Sequence, residues 1–382
     1  FTDLGIDYNG PLDGHDISSL LAEFSKEKYR SGVHVIHVKT EKGKGYQPAE
    51  KGNATTWHAP GKFDVSTGER ETNSEFLPAK YQEVFGETLL ELAREDQRVV
   101  GITPAMGSGS GMMNFAKEFP NRFFDVGIAE QHAVTFSAGL ATKGMIPFCS
   151  IYSTFLQRGF DQVIHDVALQ NLHVVFCVDR AGLAGSDGAT HQGAFDLAFL
   201  NPIPNLTILA PMNELQLRDM MKAATEMNGP VVIRYPRGRG VYLDWKQPFR
   251  SIEIGKGRKL RQGNNVAVLS IGHTGNFVHE VIVKGADISH YDMRSLKPLD
   301  HELLLEAFST HDHLITIEDG SLIGGFASSV LSWKNENGFQ HKVHSLGIPD
   351  QFIEHGTQDE LYEQCGFNSA ALDQLIARLK PV

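Results

Sequence analysis

The sequence predicts an α/β protein with two domains built on mostly parallel sheets, preceded by the closing elements of a third. Three observations carry this expectation. From about residue 79, short runs of Val, Ile, Phe and Cys alternate with stretches of helical period, as in parallel strands covered by helices on both faces. At 382 residues the chain is long for a single core. Two segments, 39–78 and 236–262, carry no sustained period and read as linkers. The expected division is 1–78, 79–240 and 250–382.

In chain order, residues 16–30 read as an amphipathic helix capped by Asp16, and 33–38 as the strand after it. One helix and one strand have nothing to pack against, so they are expected to be the end of a domain. Forty residues without structure, 39–78, fit between domains or over an active site better than inside a core. A helix at 80–95 leads to a strand at 98–102, a glycine-rich loop and a short helix at 111–118. The strand at 122–126 passes Gly127 and enters a helix whose residues 133–140 are apolar nearly all round, so that helix is expected to be buried. Strands at 146–151, 174–178, 207–209 and 231–233 follow, with helices at 154–169 and 213–225 and a long loop at 179–195. A smaller set holds strands at 266–271, 288–292, 314–317 and 343–346, with a last helix near 369–379.

Composition narrows the function. Thirty-five basic against 46 acidic residues give a net charge of −11, which argues against a nucleic-acid partner. Cys149, Cys177 and Cys365 form neither a paired framework nor a metal spacing, and the first two lie in apolar runs, as expected in a reducing compartment. No apolar run approaches membrane-spanning length, so no membrane partner is expected. The chain opens on Phe1 without a signal or transit pattern and looks like a piece of a longer one, whose targeting segment would lie upstream.

Four stretches could carry chemistry. Glu130 falls in the first turn of a helix just past the carboxyl end of a strand, the edge where open α/β sheets place ligands and where the helix dipole favours negative charge. The plain alternative is an acid that only satisfies loose N–H groups. The helix at 154–169 has Arg158, Asp161 and His165 opposite its apolar stripe, which by spacing alone suits a solvated face with an Arg–Asp pair. The loop 179–195 sets Asp179, Arg180, Ser186, Asp187, His191 and Gln192 among glycines after a wholly apolar strand. His191 could give or take a proton, or be a structural histidine. Finally, Arg234, Arg237 and Arg239 end another strand and, with Arg158 and Arg180, suit either a phosphate dianion or an ordinary surface. No GxGxxG opens a strand–turn–helix unit, and neither GxxxxGK[ST] nor GxSxG occurs. Glu318-Asp-Gly320 before Gly324-Gly325 reads as a sharp strand-to-helix turn.

Assembled, these stretches resemble a known family. Gly10-Pro-Leu-Asp-Gly-His-Asp16, Lys42-Gly-Lys-Gly-Tyr46, Trp57-His58-Ala, Asp125-Val-Gly-Ile-Ala-Glu130-Gln-His, Tyr152-Ser-Thr-Phe-Leu-Gln-Arg158, Asp187-Gly-Ala-Thr-His191-Gln-Gly-Ala-Phe-Asp and Tyr235-Pro-Arg237-Gly are similar to 1-deoxy-D-xylulose-5-phosphate synthases. Asp292-Met-Arg-Ser-Leu-Lys-Pro-Leu-Asp300 fits too, and the likeness covers the whole chain. THQGAFD joined to STFLQR separates it from transketolases and from 2-oxo acid dehydrogenase β subunits. The resemblance implies a parallel-sheet, thiamine-diphosphate pyrimidine-binding domain and a transketolase C-terminal-like α/β domain, with the tail of a diphosphate-binding domain. It implies a homodimeric transferase that condenses pyruvate with glyceraldehyde 3-phosphate, releases carbon dioxide and feeds isoprenoid, thiamine and pyridoxal synthesis.

Carried over residue by residue, the resemblance gives Glu130 the cofactor's aminopyrimidine, Phe155 a stacking role and Tyr46 a further cofactor contact. His58 and His191 would share the proton transfers, with the division between them open. Tyr152, Arg158, Arg180 and Arg237 would hold the substrate phosphate and Asp187 the aldehyde's hydroxyl. The family's Gly-Asp-Gly motif and downstream Asn, which hold diphosphate and Mg2+, have no counterpart here, so no metal ligand is assigned. The missing N-terminal domain is therefore an expected partner, and these residues alone are expected not to turn over. A bacterial cytoplasm is the expected location, the plastid stroma the other. The rival readings are a β-type subunit of another thiamine enzyme and a non-catalytic assembly module.

Overall fold

The computed structural model describes residues 1–52, 57–58, 60–70 and 76–379. The chain divides into two units, Phe1–Glu75 and Phe76–Val382.

In the first unit, β1 (Asp7–Asp13) and β2 (His34–Lys39) pair in parallel, with the helix Ile17–Glu27 between them in sequence. The sequence pattern shows one strand here, and β1 corrects it. Gly10, Pro11 and two aspartates are residue types depleted in strands, and they hide β1. Asp16 caps the helix as expected, accepting the N–H of Ser19 at 3.1 Å. The stretch expected to be a structureless linker holds the short helix Gln47–Lys51 and a turn in which Asp64 Oδ1 accepts the N–H groups of Ser66 and Thr67 at 2.8 and 2.9 Å.

The second unit carries two sheets. The strands are β3 (Val99–Thr103), β4 (Phe123–Asp125), β5 (Ile146–Tyr152), β6 (Val175–Asp179), β7 (Thr207–Leu209), β8 (Val231–Arg234), β9 (Arg258–Arg261), β10 (Val266–Ser270), β11 (Ser289–Asp292), β12 (Ser295–Lys297), β13 (His313–Ser321) and β14 (Val343–Ile348). The first sheet has seven strands in the order β12-β7-β8-β6-β5-β3-β4, and the second has five in the order β14-β13-β10-β11-β9. Each is parallel except at one edge, where β12 runs antiparallel to β7 and β9 antiparallel to β11. Strands β3, β5, β6 and β8 are buried along their whole length, which is why they read as apolar runs without alternation. Because β3, β4, β5, β6 and β8 all run the same way, their carboxyl ends share one edge.

Three apolar clusters hold the unit together. One joins the sheets, running from Ile102, Ile151 and Phe176 to Tyr291, Phe308 and Trp333. A second lies on the opposite face of the larger sheet, under the helices Tyr81–Glu95 and Glu214–Thr225. The third backs the smaller sheet with the helices Gly275–Val283 and Ser369–Leu379. No helix among the described residues is long and apolar enough to cross a membrane.

Three expectations need correction. The helix Glu130–Ala141 is not buried all round: Glu130, Ala133, Val134, Ser137 and Ala138 are buried, whereas Gln131, His132, Thr135 and Gly139 are exposed. Its small, weakly polar residues leave a face that one chain does not cover. The expected helix at 154–169 winds in four pieces, ending in the π-turns Val163–Ala168. Its Asp161 pairs with His165 at 3.0 Å, not with Arg158. The linker at 236–262 contains β9, whose Arg258 Nε donates to Asp292 at 3.0 Å.

Gly86 shows how closely the helix Tyr81–Glu95 is packed, since a Cβ there would lie 2.0 Å from the carbonyl oxygen of Gly111. Gly86→Ala is expected to lower the stability of the second unit by about 1–3 kcal/mol, read as a fall in the midpoint of urea unfolding. An unchanged midpoint would contradict this packing.

Candidate active site

The shared edge of the larger sheet gathers most of the residues singled out in the sequence. β4 ends at Asp125, whose Oδ1 accepts the N–H groups of Ala105 and Gly127 at 2.9 and 3.0 Å, tying the ends of β3 and β4 together. Gly127, at φ 73°, makes the turn that delivers Glu130 to the start of its helix. Glu130 as a residue is 5% exposed. Among the described residues its charged neighbour is Arg158 at 3.6 Å, too long for a hydrogen bond, and no donor reaches its oxygens. Its carboxylate oxygens still reach solvent at this edge, so a ligand that brings a donor can meet them.

From Glu130 the site continues as a chain of contacts. The Arg158 guanidinium lies 5.8 Å from the centroid of the half-buried Phe155 ring. Phe155 stacks on Tyr152 at 5.8 Å with planes 10° apart, and meets His191 edge-on at 5.4 Å. The His191 ring is held by the Thr190 hydroxyl, 2.9 Å from Nδ1. Thr154 Oγ1 donates to Thr190 O at 3.0 Å and so joins the start of the helix to the loop. The Arg180 guanidinium lies over the Tyr152 ring, 4.2 Å from its centroid. Burial pushes the Tyr152 phenol up, partly countered by Arg180. Arg237 completes the rim, donating to Ala184 O and to Asp187 Oδ2, both at 2.8 Å.

The structure thus brings Glu130, Tyr152, Phe155, Arg158, Arg180, Asp187, His191 and Arg237 to one edge. Two of the arginines expected beside them have other work. Arg234 is buried in an ion pair with Asp196, and Arg239 donates to Pro78 O at 2.8 Å. Tyr46 and His58 belong to the first unit. There the Tyr46 hydroxyl donates to Val65 O at 3.0 Å, its ring meets Trp57 edge-on, and His58 Nδ1 lies 3.0 Å from Lys42 Nζ. Among the described residues no group of three or more His, Cys, Asp or Glu side chains could hold a metal ion.

Comparison with known proteins decides the family. Residues 78–240 match the family described as "Transketolase, pyrimidine binding domain", residues 255–372 "Transketolase, C-terminal domain", and residues 1–40 "1-deoxy-D-xylulose-5-phosphate synthase". Two relatives named 1-deoxy-D-xylulose-5-phosphate synthase come from Parabacteroides distasonis and Cytophaga hutchinsonii. The first is 53% identical over 97% of this chain, the second 52% over 100%. The chain belongs to the 1-deoxy-D-xylulose-5-phosphate synthase family. It spans 60% and 61% of the length of those two relatives. A solved structure named "Split gene transketolase, inactive beta4 tetramer" is 30% identical, with a TM-score of 0.69 over 79% of this chain and 98% of that one. A transketolase from Campylobacter jejuni shares the fold at 15% identity, with a TM-score of 0.64 over 99% of this chain and 68% of that one.

Asp179 contributes more to this synthase-family site than its sequence position shows. Fully buried at the end of β6, it accepts the N–H of Arg180 at 2.7 Å and also contacts that residue's guanidinium. Arg180 itself stands at φ 54°, a left-handed backbone that its neighbour's carboxylate helps to hold. Burial pushes the Asp179 carboxyl up to about 6, against the pull of Arg180 and Arg237. The folded chain therefore keeps this proton more tightly than the unfolded chain, whose carboxyl titrates near about 3.9. The stability linked to it is complete below about pH 4 and is lost as the pH rises through about 6. From pH 4.5 to 8, unfolding free energies of wild type and Asp179→Asn are expected to shift in the variant's favour by up to about 2 kcal/mol. A difference independent of pH would refute this assignment.

Proposed function

We propose that the protein to which these residues belong condenses pyruvate with D-glyceraldehyde 3-phosphate to 1-deoxy-D-xylulose 5-phosphate and carbon dioxide, with thiamine diphosphate as cofactor. In this reading 79–240 is the pyrimidine-binding part, 250–382 the C-terminal part, and 1–78 the tail of the diphosphate-binding part. The observation that carries it is Glu130, a largely buried residue whose carboxylate has no donor among the described residues and opens at the sheet edge near the half-buried Phe155 ring. The names of the relatives from Parabacteroides distasonis and Cytophaga hutchinsonii support it.

These residues fit the cofactor's pyrimidine end. Glu130 would accept a hydrogen bond from a ring N–H and so select the ring's tautomer, Phe155 would stack on the flat ring, and Arg158 lies 3.6 Å from the carboxylate. When bound, thiamine diphosphate supplies the acidic thiazolium carbon and the electron sink that decarboxylation of a 2-oxo acid needs. His191, at the edge of Phe155, serves a proton at the donor carbonyl or the acceptor oxygen, a role shared with His58. Arg180 and Arg237 present guanidinium groups to the acceptor phosphate, beside Tyr152. Asp187 faces the acceptor's hydroxyl once Arg237 turns to the phosphate. Tyr46 adds a cofactor contact. Mg2+ would be held by residues in the part of the protein that this chain does not span. The exposed face of the helix Glu130–Ala141 supports a homodimer, and three free thiols suit a reducing cytoplasm.

The test is product formation by the full-length protein supplied with Mg2+, thiamine diphosphate, pyruvate and glyceraldehyde 3-phosphate. Carbon dioxide release and sugar-phosphate formation are expected, with Glu130→Ala at least about 100-fold slower. Unchanged activity in that variant would favour an assembly module. Residues 1–382 alone are expected to give no product. The solved β4 tetramer of split-gene transketolase, which this chain covers almost completely, is named inactive.

A further inference from the structure

The smaller sheet and its helices reach the site at several points, and Leu183 in the 179–195 loop is one of them. Leu183 is fully buried, and both of its backbone groups are taken by side chains from that second layer. Its N–H donates to Asp319 Oδ1 at 3.0 Å, and its carbonyl accepts Gln358 Nε2 at 2.8 Å. The same Gln358 amide donates to the carbonyl of Arg237 at 3.1 Å and lies 3.1 Å from the Tyr362 hydroxyl. Two carbonyls facing one amide fix its orientation, because a flipped amide would set its oxygen against both. Asp319 is held from behind by His273 at 2.7 Å. The approach is close enough that a Cβ on Gly182 would lie 2.1 Å from the Asp319 carboxylate.

These contacts converge on the phosphate end of the site. Arg237 donates to Ala184 O, next to Leu183, and pairs with Asp187 four residues further along. Within the loop, Gln192 Oε1 accepts the N–H of Ala184 at 2.7 Å, while its amide nitrogen donates to Glu354 O at 3.1 Å. We infer that Gln358 is a positioning residue for acceptor recognition, bridging the Arg180–Asp187 loop to the strand end that carries Arg237 and so fixing the distance between the two guanidinium groups. The inference rests on the reading of the acceptor as a phosphorylated aldehyde. Gln358 reaches the substrate only through the backbone it holds. Its loss moves one end of the site and leaves Glu130 and Phe155 in place.

The test is steady-state kinetics of the full-length holoenzyme with pyruvate and either glyceraldehyde 3-phosphate or unphosphorylated glyceraldehyde. Gln358→Met keeps the length and volume without the donor, and Gln358→Glu sets an acceptor against the two carbonyls. In both, KM for the phosphorylated acceptor is expected to rise about tenfold. KM for pyruvate and for unphosphorylated glyceraldehyde should stay within about twofold of wild type. Equal losses with both acceptors, or none with either, would overturn the inference while leaving the reaction assignment standing. A wild-type enzyme that releases no carbon dioxide from pyruvate would overturn the assignment itself.

Discussion

A buried guanidinium joins the two layers of the second unit. Arg234 ends β8 at 3% exposure, donating through Nε to Asp196 Oδ2 at 2.8 Å and through Nη2 to Asp319 O at 2.7 Å. Asp196 lies at the end of the site loop and Asp319 within β13 of the other sheet, so three segments meet at one cation. Burial alone would lower its pKa, but the carboxylates of Asp196, Asp319 and Glu318 outweigh that and raise it. A charge this deep is tolerable only when fully paired, and loss of one partner typically costs about 3–5 kcal/mol. The carboxyl edge of the larger sheet can therefore keep a fixed shape while its side chains stay open to ligands.

Glu318 shows the same economy one residue earlier. It is fully buried and accepts the N–H groups of Phe326 and Ala327, 2.7 and 2.8 Å away, at the start of the helix Phe326–Glu336. Burial pushes it up to about 7 even so, partly countered by those two donors and by Arg234. The start of that helix is thus capped by a carboxylate reaching from within β13, where the sequence pattern reads as a turn.

The parallel strands were legible because burial on both faces removes the need for alternation, leaving runs such as Val174-Val-Phe-Cys-Val178. The residues at their ends were legible because chain order in an α/β sheet nearly fixes which ends are neighbours. β1 was hidden by its glycine, proline and aspartates. The exposed face of the helix Glu130–Ala141 was misread because apolarity reports a preference for burial without naming what covers it. Arg234, Arg237 and Arg239 look alike in sequence, and only the third dimension assigns one to the interior, one to the site and one to a carbonyl near the start of the unit. Gln358 carried no signal, since a single amide in a first helical turn is unremarkable until two carbonyls from distant segments are found against it.

The two ends of the site differ in what holds them. At the Glu130 end, position follows from local geometry: a strand, one glycine in a left-handed turn, and a helix start. Such an end needs little from elsewhere in the chain. At the Arg237 end, Arg180 stands in a left-handed backbone of its own and Arg237 follows a strand terminus, so neither guanidinium is placed by a regular element. Loops of this kind keep a geometry only when their backbone groups are satisfied from outside. Asp319, Gln358 and the carbonyl of Glu354 supply those partners from the second layer. The smaller domain thus shapes the end of the site that carries Arg180 and Arg237 through the backbone of the loop it supports.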